Sequence, residues 1–235
     1  TDTDSDTDTD TDTDTDTDSD SDSDADVTCP VHVDGSLSDY AGHDGSTWAL
    51  AVETVQEGLN AAEAAVEDTD GPVASCDVWV RAGTYFPTED TDGSTAPADA
   101  RTMTILLKGN VALYGGFDGT ETALAGRDPE LNPTILSGAI GTVSDTDNCY
   151  SVVTGADDAM IDGFTITGGY SDSSDAVYSG AGMYNSYASP TVANCTFDGN
   201  AAGYYGGAMY NYSASPTVTG CTFDGGSAYY GAAMY

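Results

Sequence analysis

Acidic side chains are the most abundant groups that could do chemistry, and the pair Asp157-Asp158 is the clearest catalytic candidate. Two carboxylates can hydrolyse a glycosidic bond when one donates a proton and the other acts as base or nucleophile. This pair, like the acids at positions 145 and 147, lies in turn-like sequence without His or Arg nearby, which favours a solvated turn. His32 and His43 are 11 residues apart and lack a third ligand, so no zinc site is expected. We therefore expect no catalytic residues, and a polysaccharide-acting enzyme is the weakest of three alternatives.

The five cysteines offer thiol chemistry. Cys29 and Cys76 each stand two residues before a V-x-V segment. If these segments pair as parallel strands, the two thiols become neighbours, which predicts a disulfide. Cys195 and Cys221 occupy equivalent positions of a repeat and are expected to form a buried ladder of free thiols, because in-register geometry strains a bridge. Cys149 has no clear partner.

Tyrosine is in excess near the carboxyl end of the sequence. Of 15 tyrosines, 11 lie after residue 169, including the pairs Tyr204-Tyr205 and Tyr229-Tyr230. Tyrosines stacked on one face could contact sugar or another subunit. Packing within the repeat is the equally open alternative.

The amino-terminal tract is of low complexity, because residues 1–24 alternate strictly between a hydroxyl residue and Asp. It has no apolar residue to bury and its charges repel, so an extended, solvated tail is expected over residues 1–26. The regular hydroxyls are candidate O-glycan sites. The carboxylates could collect Ca²⁺ loosely, but a linear row does not converge on one ion, so no specific metal or cofactor is expected. The candidate attachment sites are Thr1, Thr3, Ser5, Thr7, Thr9, Thr11, Thr13, Thr15, Thr17, Ser19, Ser21 and Ser23.

The charge balance excludes whole classes of partner. The chain has 235 residues with 40 acids, 4 Lys or Arg and a net charge of −36, and residues 1–26 hold 13 of the acids. Nucleic-acid binding depends on clustered cations, as does docking on anionic lipid, so neither is expected. No apolar run approaches the length of a membrane span. Cysteine in an acidic, Lys-poor chain suits an extracellular location.

One segment has the period of an amphipathic helix. Apolar residues recur at spacings of three and four through residues 47–67, which predicts a helix there, with Ser46 or Thr47 as its N-cap. Short runs between Gly- and Asp-rich turns predict strands. These strands are Val27–Val33, Asp77–Arg81, Thr102–Lys108, Val111–Tyr114, Thr134–Leu136, Ser151–Thr154 and Ile161–Thr167.

An internal repeat decides the fold class. The segment that begins at Gly180 recurs 26 residues later from Gly206, and a third copy begins at Gly231. Residues 161–168 look like a degenerate earlier copy of the C-T-F-D-G segment. A period of this length with several strands and no helix predicts one coil of a β-solenoid, with equivalent side chains stacked in ladders. Asn185 and Asn211 are expected to stack and to hydrogen-bond along the axis.

These motifs carry a resemblance to a known family. The G-G-A-M at residues 206–209 and F-D-G-N at 197–200 resemble the GGA[ILV] and FxxN tetrapeptides of polymorphic outer-membrane-protein repeats. The order of D-G-S-T-W-A, W-V-R-A-G-T-Y, V-A-L-Y-G-G-F, P-T-I-L-S-G and D-G-F-T-I-T-G-G resembles bacterial right-handed parallel β-helix repeat surface proteins. The resemblance covers residues 27–235. It implies an exported, adhesive or structural protein and no catalytic residues.

The resulting interpretation is an all-β, right-handed parallel β-helix of about 26 residues per coil. We expect a tail at 1–26 and one domain at 27–235, with a cap region at 27–110 and coils at 111–235, the clearest repeats at 180–235. The sequence stops part way through a unit, so either more sequence follows or a neighbouring subunit completes it, which would propagate head to tail. A self-associating extracellular or cell-surface fibre of a bacterium is the leading hypothesis, with the tail as O-glycosylated spacer. A glycan-binding adhesin is the alternative.

Overall fold

The structure is a computed structural model that describes residues 28–37, 39–68, 73–142, 144–172 and 179–235. The expected extended tail and all twelve candidate O-glycan sites lie outside these residues. The expected domain at 27–235 is described from residue 28 onward, apart from the gaps between these ranges.

Seventeen short strands and one α-helix make up the described part of the chain. Single turns of 3₁₀ helix lie at Trp48–Leu50, Ala100–Thr102, Leu124–Gly126 and Asp145–Asp147. In chain order the elements are β1 Val31–Val33, α1 Val55–Glu67, β2 Cys76–Arg81, β3 Gly83–Tyr85, β4 Ile105–Leu106, β5 Val111–Phe117, β6 Thr134–Ser137, β7 Val153–Thr154, β8 Met160–Asp162, β9 Phe164–Thr167, β10 Tyr170–Ser171, β11 Met183–Ser186, β12 Thr191–Ala193, β13 Thr196–Asp198, β14 Ala201–Ala202, β15 Met209–Tyr212, β16 Thr217–Thr219 and β17 Thr222–Asp224.

All pairings between these strands are parallel, and the chain visits the sheets in rotation. The first sheet has the order β1-β2-β5-β8-β12-β16, the second β3-β6-β9-β13-β17 and the third β4-β7-β11-β15. Strands β10 and β14 form a fourth, two-stranded sheet. Each passage of the chain through the sheets, here called a layer, thus lies on the one before it. This arrangement is consistent with an all-β parallel solenoid.

The repeat sets the register of the last layers. Met183 pairs with Met209 and Val192 with Val218, each 26 residues further along. The segment around Phe164–Thr167 pairs with Thr196–Asp198, as expected of a degenerate copy. Earlier layers contain longer loops, and Val31 pairs with Val78, 47 residues further along.

The helix begins later than the sequence predicts. Residues 47–54 are not α-helical: Trp48–Leu50 form a 3₁₀ turn, and Val52 pairs with Val33 in a parallel bridge. Neither Ser46 nor Thr47 caps the helix. Thr54 does so, because its hydroxyl accepts the Glu57 N–H at 3.1 Å while the Glu57 carboxylate accepts the Thr54 N–H at 2.9 Å. This capping box fixes the start at Val55.

Helix α1 closes the apolar interior beside the first layers. Leu59 and Ala62 are fully buried and belong to one core cluster with Val33 and Val78. Gly58 permits the closest approach, since a Cβ there would lie 2.6 Å from Val33 Cγ2. The core continues into the last layers as stacked Met, Val and Phe side chains.

Four predicted strands are shorter or broken in the structure. Of the runs 27–33 and 151–154, only Val31–Val33 and Val153–Thr154 are strand among the described residues. The run 161–167 splits into β8 and β9, because Gly163 takes a positive φ of +83° and turns the chain into the second sheet. The run 102–108 contributes only Ile105–Leu106, since Ala100–Thr102 form a 3₁₀ turn.

Candidate functional site

The carboxylates and imidazoles considered for catalysis hold the backbone in place. Asp157 Oδ1 accepts the Ser189 N–H at 2.7 Å, and Asp158 takes a left-handed φ of +57° in the same turn. His32 Nδ1 lies 2.9 Å from the Gly45 carbonyl oxygen, and burial lowers the pKa of His32. His43 Nδ1 lies 2.8 Å from the Ala51 carbonyl oxygen. The two imidazoles therefore meet separate backbone carbonyls.

The described residues contain neither a cluster of metal-ligating side chains nor a membrane-spanning helix. Within them, no three or more His, Cys, Asp or Glu side chains come together as a set of metal ligands. None of the helices in these ranges combines the length and the hydropathy needed to span a bilayer.

All four cations are ion-paired with carboxylates. The pairs are Arg81 with Asp34 at 2.7 Å, Arg101 with Asp172 at 3.1 Å, Lys108 with Glu63 at 2.6 Å and Arg127 with Asp162 at 2.8 Å. Each pair joins segments that are distant in sequence. The cations thus connect layers or, for Lys108, connect a layer to helix α1.

The cysteines divide into a disulfide and three free thiols. Cys29 and Cys76 are joined by a disulfide with a Cα–Cα distance of 5.5 Å, beside the expected pairing of β1 and β2. Cys195 and Cys221 are free and stand on adjacent layers, but only Cys195 is buried, so the expectation of a buried pair is wrong for Cys221. Cys149 is free and buried. Burial raises the pKa of the Cys149 thiol to about 12, so it stays protonated and inert.

Nine tyrosines make one continuous outer surface, here called the tyrosine surface. It brings together the four that the sequence singles out, because Tyr204 stacks on Tyr229 at 5.6 Å between ring centroids and Tyr205 on Tyr230 at 5.7 Å. Ring contacts link these to the remaining members. The complete set is Tyr184, Tyr187, Tyr204, Tyr205, Tyr210, Tyr212, Tyr229, Tyr230 and Tyr235.

The rings of this surface cover parts of each other's faces. Three of the stacked pairs lie within 20° of parallel with centroids less than 6 Å apart, which is the range of offset-stacked rings. Tyr210 lies at the centre and is only 5 % exposed, and burial raises its pKa. Tyr187 and Tyr229 lie at the margins, with 68 % and 71 % of their area exposed. The surface therefore presents ring edges and hydroxyls, with free ring faces at its margins.

The tyrosine surface belongs to the least charged part of the chain. Of the 40 acids, only Asp198 and Asp224 lie within residues 179–235, and no Lys or Arg does. Both acids sit in strands of the second sheet, while the tyrosines come from the third sheet and the turns that flank it. A neighbour could therefore approach these rings without desolvating a charge.

A cleft of about 590 Å³ lies apart from the tyrosine surface. Leu124, Pro129, Thr165 and Thr196 are among the residues that line it. The ion-paired Arg127 and Asp162 also line it, and Asn194 Nδ2 donates to Asp162 Oδ1 at 3.1 Å. Arg127 also donates to the carbonyl oxygen of Gly115, so its hydrogen bonds hold the neighbouring backbone in place.

Several buried asparagines hydrogen-bond neighbouring layers, and the sequence predicts only some of them. The expected ladder exists, since Asn185 Nδ2 donates to Asn211 Oδ1 at 2.8 Å. Asn200, the last residue of the FxxN tetrapeptide, is fully buried and bonds the Ile166 carbonyl oxygen and the Gly169 N–H. Asn148 binds the Gly168 carbonyl oxygen in a comparable way, but no repeat marks it.

Comparison with known proteins gives one family. The family model described as "Protein of unknown function (DUF1565)" matches residues 73–231, and this family is associated with parallel β-helix repeat proteins. No curated protein and no solved structure matches the sequence.

Proposed function

The chain belongs to the DUF1565 family, and from that premise we propose that it is a non-catalytic structural protein of a bacterial cell surface. In this proposal it is a right-handed parallel β-helix that associates with further copies of itself through the tyrosine surface. The observation that carries the proposal is the coincidence of nine contacting tyrosines with the nearly uncharged part of an otherwise strongly acidic chain. The tail completes it as an O-glycosylated spacer.

A structural role agrees with how the reactive side chains are used. The four cations, both histidines and Asp157 are engaged in ion pairs or backbone hydrogen bonds that hold layers and turns together. Groups held in this way have little freedom to bind and release a substrate. Many ion pairs and hydrogen bonds between layers would make an extracellular rod stiff.

Lateral association suits the structure better than the expected head-to-tail contact. At the first layer, Val52 pairs with Val33 and helix α1 packs on the inner side of the same strand. A strand edge from another copy would have to displace these contacts. The tyrosine surface needs no displacement, and tyrosine is enriched at protein interfaces because it combines apolar area with a hydroxyl.

Sedimentation velocity over a range of protein concentrations tests the proposal. We expect the wild-type chain to associate, and the variant Tyr187→Ser/Tyr229→Ser to associate about tenfold more weakly, since both rings lie exposed at the margins. Leu131→Ser is the matched control, because Leu131 is 78 % exposed on a different segment. A wild-type chain that stays monomeric, or a double variant that associates like the wild type, would contradict the proposal.

Glycan binding is a second candidate for the same surface, favoured by the free ring faces at its margins. It predicts retention of the monomer on polysaccharide that is lost when Tyr204, Tyr205, Tyr229 and Tyr230 become Ala. The overlap of the inner rings leaves little flat face for a sugar, which is why self-association is preferred. Polysaccharide retention by a chain that does not self-associate would reverse that preference.

A further inference from the structure

The cleft of about 590 Å³ lies where the loop between β5 and β6 meets the turns of three successive layers. The loop contributes Leu124 and Pro129 among its lining residues. The turns between the first and second sheets contribute Gly163, Asn194 and Gly220, which the register of the flanking strands makes equivalent. The cleft therefore combines residues of one irregular loop with residues that recur from layer to layer.

A buried carboxylate in this cleft has one oxygen that lacks a donor among the described residues. Asp162 is only 6 % exposed, and its Oδ1 lies 2.8 Å from Arg127 Nη2 and 3.1 Å from Asn194 Nδ2. No residue of the described ranges donates to Asp162 Oδ2. Buried polar atoms in folded proteins are nearly always hydrogen-bonded, so Oδ2 requires a donor that this part of the chain does not supply.

A second acceptor in the cleft is left open by a glycine. A Cβ at Gly220 would lie 2.6 Å from Asn194 Oδ1, so a larger residue there would cover this oxygen. Because Gly220 has no side chain, Asn194 Oδ1 stays uncovered on that side, while Asn194 Nδ2 is bonded to Asp162. Glu130, an exposed residue of the lining, adds a third acceptor. The cleft therefore suits a ligand that carries several hydrogen-bond donors.

The charges in the cleft disfavour an anion and give a small cation little to bind. Arg127 is ion-paired with Asp162 and also donates to the carbonyl oxygens of Gly115 and Asp162, so few of its N–H groups remain for an anionic ligand. Glu130 would repel an anion as well. Because Arg127 already balances the charge of Asp162, a cation would find only the exposed carboxylate of Glu130. An uncharged ligand fits these charges best.

We propose that this cleft binds a short, uncharged oligosaccharide. Sugar hydroxyls donate and accept, so they match the acceptor oxygens of Asp162 and Asn194. They equally match the hydroxyls of Thr165 and Thr196, which also line the cleft, and the C–H face of a sugar ring can pack against Leu124. The cleft has the volume of an ordinary small-molecule pocket. None of its lining residues belongs to the tyrosine surface, so the site does not depend on self-association.

Saturation-transfer NMR on the full chain tests the cleft with cellotriose, xylotriose, maltotriose and mannotriose, each at millimolar concentration. We expect at least one of these uncharged trisaccharides to bind, and neither trigalacturonate nor the diamine putrescine to compete with it. Asn194→Gly should weaken binding about tenfold or more, because the ligand loses Oδ1 and Asp162 loses a donor that positions it. This variant should fold, since Asn194 has a φ of +49° and glycine occupies the equivalent position of both adjacent layers.

Three further variants locate the site. Asn110→Gly is the matched control, because Asn110 is also exposed with a left-handed φ of +59° but lies outside the cleft, and it should bind like the wild type. Tyr187→Ser/Tyr229→Ser should also bind like the wild type, which separates this site from a sugar site on the tyrosine surface. Glu130→Gln should change the affinity little, because the amide keeps an acceptor and only the charge is removed.

Four results would overturn the proposal. They are no binding of any of the four trisaccharides, wild-type affinity in Asn194→Gly, loss of binding in Asn110→Gly or in the tyrosine variant, and displacement of the trisaccharide by putrescine or trigalacturonate. Circular dichroism of each variant verifies that it is folded, so that a lost signal reports on the cleft.

Discussion

At the scale of single residues, Gln56 shows how one side chain can replace a neighbouring strand. Its Oε1 accepts the Leu106 N–H at 2.9 Å, and its Nε2 lies 3.4 Å from the Leu106 carbonyl oxygen. Leu106 belongs to β4, an edge strand of its sheet among the described residues. Gln56 is only 3 % exposed, so without it a backbone N–H and C=O would be buried unpaired.

The variant Gln56→Ala should therefore be much less stable than its helical position suggests. We expect a loss of about 1–3 kcal/mol in the free energy of unfolding, because the Leu106 groups lose their partners while Ala itself favours the helix. Urea denaturation measures this. Glu67→Ala, exposed on the same helix, should change stability by less than about 0.5 kcal/mol. Equal midpoints for the two variants would refute the role of Gln56.

The sequence predicts some of these residue-scale contacts and not others. The Asn185–Asn211 ladder is predictable because the repeat puts identical side chains in register, and the hydrogen bond confirms it. Gln56 carries no such signal, since a polar residue at one position of a helix looks the same whether it caps a strand or faces water. The bonds of Arg127 are equally invisible, because they join it to carbonyls of two other segments.

At the scale of elements, the helix shows where apolar periodicity fails. Trp48 and Val52 continue the spacing of the α1 stripe, which is why the sequence predicts a helix from residue 47. In the structure Val52 extends the first sheet instead, because its backbone pairs with that of His32 and Asp34. A side-chain pattern cannot distinguish an inward-facing strand residue from another turn of helix. The start signal at Thr54 and Glu57 was present in the sequence as a capping box.

Because α1 packs against the first sheet, Gly→Ala at position 58 should change stability in the opposite direction from the same change in an exposed helix. In an exposed helix Gly→Ala stabilises by about 1 kcal/mol. At Gly58 the added Cβ would lie 2.6 Å from Val33 Cγ2 and 3.0 Å from Val78 Cγ1, so Gly58→Ala must displace either the helix or these valine side chains. We expect a net loss of about 1–3 kcal/mol in urea denaturation.

Ala64 provides the comparison for Gly58, because it is exposed on the same helix. Ala64→Gly should cost about 1 kcal/mol from propensity alone. A Gly58→Ala protein that is more stable than the wild type would show that the helix does not rest on Val33 and Val78.

At the scale of the whole molecule, the acidity is segregated. The tail and the layers before residue 179 hold 38 of the 40 acids and all four cations, and the last layers hold two acids. Those four cations are each paired with a carboxylate. Copies of the chain repel each other at long range, while their tyrosine surfaces can touch without opposing charges at short range.

This segregation predicts how salt changes self-association. Raising NaCl from about 10 mM to about 0.3 M shortens the screening length from about 30 Å to less than 8 Å, so repulsion between copies weakens and association through the tyrosine surface should tighten. Deleting residues 1–26, which hold 13 acids, should tighten association at low salt for the same reason. Sedimentation velocity measures both, and Tyr187→Ser/Tyr229→Ser should stay weakly associated throughout. Association that weakens as salt rises would mean that ion pairs, and not the tyrosines, join the copies.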